Sequence, residues 1–212
     1  MSGSHQAKYK EVVSKTLSFY KDDLNRIAQD LRARPELGLE EHYAHERLTT
    51  FLDHHGFIVQ KSYGSLATAF RAEFSSSKFS PAIHSTVAVL CEYDALPGIG
   101  HACGHNLIAE AGVATALAVR DVLLQHEGVQ GRVVVIGTPA EESAGGKITL
   151  IKEGAFEDVD FAMMVHPFAN NDLQPVILGV GDCHVTFTSI NEDSNALDAA
   201  IAVYTEVYDL KF

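Results

Sequence analysis

Apolar residues recur at helical spacing from the first turns of the chain. Val12, Leu17, Phe19, Leu24, Ile27 and Leu31 predict an amphipathic helix from Tyr9 to Leu31. Arg34-Pro35 ends it, because proline disfavours the helical conformation of the residue before it. From Glu40 to His55, Tyr43, Leu48, Phe51 and Leu52 share one side, and Gly56 supplies a C-terminal stop, so a second helix is expected. His42, His45, His54 and His55 fall on or near its polar side and read as solvated. The pattern then shortens to β-type runs at 57–60, 67–74 and 85–91, the last almost wholly apolar, as in a strand covered on both faces. Asn106 reads as the N-cap of a helix reaching about His126, followed by a strand at 132–136, a short helix at 145–153 and a strand at 161–165. Beyond Pro167 come strand-like runs at 176–180 and 184–188, then a helix from about Ser194 to Tyr208. Alternating strands and helices predict an α/β fold, a three-layer, mostly parallel sheet with helices on both faces.

Composition narrows the class of protein. The 212 residues can bury a full core, and 46% hydrophobic with 21% charged residues is ordinary for a globular chain. A net charge of −12 with no basic run argues against a nucleic-acid partner. No stretch approaches the roughly 20 apolar residues of a membrane span, and the polar start from Met1 to Lys10 lacks the apolar core of a secretory signal. Three cysteines, an odd count, favour a reducing compartment, the cytoplasm by default.

Chemistry concentrates in three loops, each just past a predicted strand, where open α/β sheets bind ligands. The first, Cys91 to Asn106, crowds two carboxylates (Asp94 one of them), His101, Cys103 and His105 into a glycine-rich turn. Cys103 and His105, two apart, point the same way on an extended backbone, and thiolate with imidazole suits zinc better than magnesium or calcium. The second offers Glu141 and Glu142, whose side chains diverge, so that one carboxylate can bind metal while the other serves as general base. In the third, His166 ends a strand before Pro167. Asp94 is placed to orient a ligating imidazole, whereas Cys91 lies in a strand body and reads as inert core. Cys183 and His184 alternate to opposite faces.

Asp94-Ala-Leu-Pro97, His101-Ala-Cys-Gly-His105, Gly137-Thr-Pro-Ala-Glu-Glu142 and His166-Pro167 resemble the motifs of peptidase family M20, the aminoacylase and carboxypeptidase group of two-metal enzymes, in its amidohydrolase branch. Arg34-Pro-Glu-Leu-Gly38 with Glu40-Glu41 resembles the N-terminal signature of that branch. The resemblance implies that Cys103, His105, Glu142 and His166 bind two divalent cations, zinc first, manganese or cobalt next. It makes Glu141 the base that activates water and Asp94 its supporting residue. Its substrates would be dipeptides, with a basic C-terminal residue in the most similar group, or N-acyl amino acids. Asn106 stands where many branch members carry aspartate. The resemblance also implies that residues 1–181 are the N-terminal part of the catalytic domain and 182–212 the beginning of a lid, through which longer family members form homo-oligomers. On this reading the fold is incomplete, and a lid histidine and a final histidine ligand are missing. The competing expectation is a shortened, catalytically incompetent form that acts as a binding partner.

Overall fold

The computed structural model describes residues 3–173, 175–176, 184–190 and 195–209. The chain divides into two compact units, Met1–Ala169 and Asn170–Phe212. In the first, the expected order of elements is met: α1 (Gly3–Ala33), α2 (His42–His54), β1 (Ile58–Lys61), β2 (Phe70–Ser75), β3 (Thr86–Cys91), α3 (His105–Gln125), β4 (Arg132–Gly137), α4 (Gly146–Lys152) and β5 (Phe161–Met163).

The five strands form one sheet in the order β1-β2-β4-β3-β5. The α/β class holds, and the sheet within it is mixed. β3 pairs in parallel with β4 and β5, whereas β2 runs antiparallel to β1 and β4. Connection length explains the difference. The connection from β1 to β2, residues 62–69, is shorter than a parallel crossover requires, whereas α3 supplies the long crossover that β3 and β4 need.

Alternation along β4 sends side chains to two cores. Val133 and Val135 pack with Phe70 and with Leu24, Ile27, Leu31, Leu48, Leu52 and Leu117 from the three long helices. Val134 and Ile136 face the other side, with Ala69, Ala88, Leu150 and Ala155. Helical segments therefore cover both faces, and apolar area buried on both sides drives the layering. On the second side, Arg71 Nη2 and Arg132 Nη2 both donate to Asp158 Oδ2, at 2.7 and 2.5 Å, tying β2 and β4 to the segment after α4.

The motif at Arg34 to Gly38 has a structural use. The Glu36 carboxylate accepts the Tyr43 and Ala44 N–H groups, 2.9 Å each, so a residue outside α2 satisfies two donors of its first turn. The Arg34 guanidinium lies 4.4 Å from the Tyr43 ring centroid.

Several local expectations are corrected. Asn106 does not cap α3; Gly104 does, at φ 82°, and Asn106 sits inside the helix, donating from Nδ2 to Ala28 O. Cys103 and His105 consequently flank a left-handed turn rather than an extended segment. His45 is buried and packs against Phe70 instead of facing solvent. The run at 184–188 forms no strand. Of the run at 176–180, residues 177–180 lie outside the described residues, as does Cys183.

In the second unit, α5 (Ala196–Asp209) starts where expected, with Asn195 Oδ1 accepting the Leu197 N–H at 2.9 Å. It exposes Leu197, Ile201, Tyr204 and Tyr208.

Candidate metal centre

The centre is built at the C-terminal ends of the parallel strands. β3 ends at Cys91, and the next residues, Glu92, Tyr93 and Asp94, are almost fully buried. The chain then turns through Leu96 to Gly100 and reaches Cys103, Gly104 and the first residue of α3, His105. From β4, residues 138–142 enter the same region, and from β5 comes His166. Close backbone approach brings the first and third loops together, since a Cβ on Gly104 would stand 2.8 Å from Pro167 Cγ.

His105 is wholly buried. Its Nδ1 lies 3.0 Å from Asp94 Oδ1, and an ionised carboxylate there fixes the proton on Nδ1. Nε2 is left as a lone-pair donor, turned toward Glu92 Oε2 at 3.4 Å, Glu142 Oε1 at 3.5 Å and Glu141 Oε2 at 3.8 Å. On the other flank, Cys103 Sγ is 3.7 Å from His166 Nε2, and the two imidazole rings meet edge to face at 6.3 Å. One set of three donor atoms, from Cys103, His105 and His166, lies within 4.8 Å of one another, and so does a second, from Glu92, His105 and Glu141.

Asp94 has two tasks. Burial alone would raise its carboxyl, but the hydrogen bonds from His105 and from the Glu142 N–H at 2.9 Å outweigh burial and hold it below the ordinary aspartate value. It therefore orients a donor imidazole and the backbone of the Glu142 loop together. Burial pushes the Glu141 carboxyl up, and the charge of Glu92 adds to that. The Cys103 thiol is pushed up to about 11, by burial first and then by Glu142 and Glu141. Burial lifts Cys91 to about 12 in the core, as expected of an inert thiol.

This donor set fits divalent cations. Two buried atoms, His105 Nε2 and Glu92 Oε2, have no hydrogen-bond partner, and a buried polar atom left unpaired is costly. Four carboxylates, from Glu92, Asp94, Glu141 and Glu142, converge, and Lys147 brings a cation into contact with them, its Nζ donating to Glu92 Oε1. A divalent ion amid them would offset that charge and favour the thiolate that the carboxylates disfavour. Sulfur with nitrogen and oxygen donors matches zinc chemistry.

All six sequence-predicted site residues, Asp94, Cys103, His105, Glu141, Glu142 and His166, thus reach one region. The sequence reading counted Glu92 only as one of two carboxylates in its loop, without a role, and passed over Lys147. The signal for Glu92 was its spacing, since it stands two residues before Asp94 at a strand end and so shares a side with it. Glu41 also acquires a place. Fully buried, it accepts the Ala140 N–H at 2.8 Å and the Thr68 hydroxyl at 2.7 Å. Ala140 has a φ of 58°, a conformation that costs free energy for a residue with a Cβ, so Glu41 holds a strained turn just before Glu141.

The family model described as peptidase family M20/M25/M40 matches residues 88–211. The chain belongs to this family. Among M20/M25/M40 relatives, the Xaa-Arg dipeptidase of Mus musculus is 42% identical over 207 residues, covering 89% of this chain and 47% of the relative. The Homo sapiens Xaa-Arg dipeptidase is 42% identical over 204 residues, covering 87% and 46%. The chain therefore spans about half the length of the curated relatives it matches. Among solved structures, the Bacillus subtilis YXEP protein, described as a dinuclear metal-binding peptidase from the M20 family, superposes with a TM-score of 0.59. It is 23% identical and covers 68% of this chain and 42% of that one. The M20/M25/M40 fold and the convergence of thiol, imidazoles and carboxylates agree.

Proposed function

We propose that this chain carries the cation-binding and proton-transfer half of a metal-dependent amidohydrolase that cleaves dipeptides or N-acyl amino acids. The 42% identity to Xaa-Arg dipeptidases supports a basic C-terminal residue as the preferred dipeptide end. Residues 1–181 then belong to the catalytic domain, and 182–212 begin a lid. The two free cysteines described, Cys91 and Cys103, favour a reducing compartment such as the cytoplasm. One observation carries the reading. His105 Nε2, without a hydrogen bond, faces three carboxylates, while Cys103 and His166 flank the same imidazole.

Cys103, His105, Glu142 and His166 would hold two divalent cations, which supply Lewis-acid polarisation of the scissile carbonyl. Glu141 takes a proton from the attacking water and delivers it to the leaving amine. Its raised affinity for a proton suits both transfers. Asp94 keeps the His105 proton on Nδ1 and the Glu142 backbone in register. A dipeptide ending in arginine tests the reading, with zinc or cobalt loading and a Glu141→Gln comparison. Chelator-sensitive hydrolysis that falls about 10²- to 10⁴-fold in the variant is expected. Cation uptake without turnover would instead favour a binding partner.

A further inference from the structure

We propose that Glu92 is a direct ligand of the cation held by His105, aimed by Lys147. The assignment deepens the hydrolase reading and rests on it. Glu92 is 2% exposed, and its two oxygens are used unequally. Oε1 accepts the Lys147 ammonium, whereas Oε2 has no hydrogen bond and faces His105 Nε2, itself without one. Two unpaired acceptors, buried and 3.4 Å apart, repel each other unless something positive lies between them.

Distance identifies what that is. Oxygen and nitrogen ligands sit about 2.0–2.2 Å from zinc, so two of them at a tetrahedral angle are separated by about 3.3–3.6 Å. Glu92 Oε2 at 3.4 Å and Glu142 Oε1 at 3.5 Å from His105 Nε2 fall within that range. Glu141 Oε2 is farther from His105 Nε2, at 3.8 Å, and more exposed, yet lies within 4.8 Å of both the His105 and the Glu92 donor atoms, so it stands at the margin of the ion's place, where a base meets the attacking water. A proton shared between Glu92 and His105 is the other way to relieve the pair. It would give a hydrogen bond near 2.8 Å, and it would leave Glu142 unexplained.

Lys147 makes the arrangement specific. Its contact with Oε1 neutralises part of the buried charge and fixes the carboxylate plane, leaving the second oxygen for a single-point bond.

The test compares the parent chain with Glu92→Gln after chelator stripping, by equilibrium dialysis against Co²⁺ and by the visible Co²⁺ absorption spectrum. The variant keeps the shape and an oxygen for Lys147 but puts a weaker ligand at the ion. At least a tenfold loss of Co²⁺ affinity is expected, with changed absorption bands and a smaller Co²⁺-induced rise in melting temperature. Unchanged affinity and bands would overturn the assignment while leaving the hydrolase reading intact. Failure of the parent chain to take up Co²⁺ would overturn both. Should Glu92→Gln not fold, Glu92→Asp retains the charge but draws the oxygens back by one methylene. Reduced Co²⁺ affinity there supports the assignment, and native affinity overturns it.

Discussion

Ala140 has a positive φ, a conformation that costs free energy for a residue with a Cβ, and the Glu41 carboxylate helps to hold it. Burial pushes the Glu41 carboxyl up, yet its two hydrogen bonds keep both oxygens occupied. Glu41→Ala strands the Ala140 N–H and the Thr68 hydroxyl in the interior, a loss of about 2 kcal/mol or more. Glu41→Gln is expected to be milder, because one oxygen still serves Ala140 and the threonine hydroxyl can turn to accept. Urea melts of the two variants check that order; equal losses would show that Glu41 merely fills space. At this scale the gathering of Cys103, His105, Glu142 and His166 in one region was legible, because their residue types alone suggested it. The pairing of Glu92 with Lys147 was not, because the two stand 55 positions apart and the lysine looks like any solvated helix residue.

Among the elements, α1, α3, β3 and β4 were legible because a period of 3.6 or an unbroken apolar run needs no tertiary information. Strand direction was hidden, since β1 and β2 read like any other half-buried strands until the length of their connection is weighed. The Gly104 turn was missed because Asn106 also satisfies capping preferences. β5 shows an element with unfinished pairing. It bonds β3 on one side, has no strand on the other among the described residues, and exposes Phe161 and Met163. An apolar edge of this kind recruits further strands. Light scattering is expected to report concentration-dependent association of this chain. Met163→Lys should suppress it without moving the melting temperature by more than a few degrees.

For the whole molecule, the sequence gives the class and the site rim, while the clamp behind the sheet emerges only in three dimensions. Burial works to raise the Asp158 carboxyl, but hydrogen bonds and charge from Arg71 and Arg132 prevail and hold it below the ordinary value. Its contribution to stability is therefore complete above the unfolded aspartate value, about 3.9, and disappears as pH falls through the lower folded value. Asp158→Asn should lower stability at neutral pH and flatten the acid limb of a melting-temperature profile. A parallel acid limb would remove Asp158 from that role. The Gly104–Pro167 approach carries a different consequence. A cation gripped by donors from both loops staples the start of α3 to the chain after β5, so the tail of the sheet would sense whether the ion is present. Chelation should then speed deuterium uptake at residues 164–168 while β4 keeps its protection, making loss of the ion an unfastening of one margin rather than a collapse of the whole.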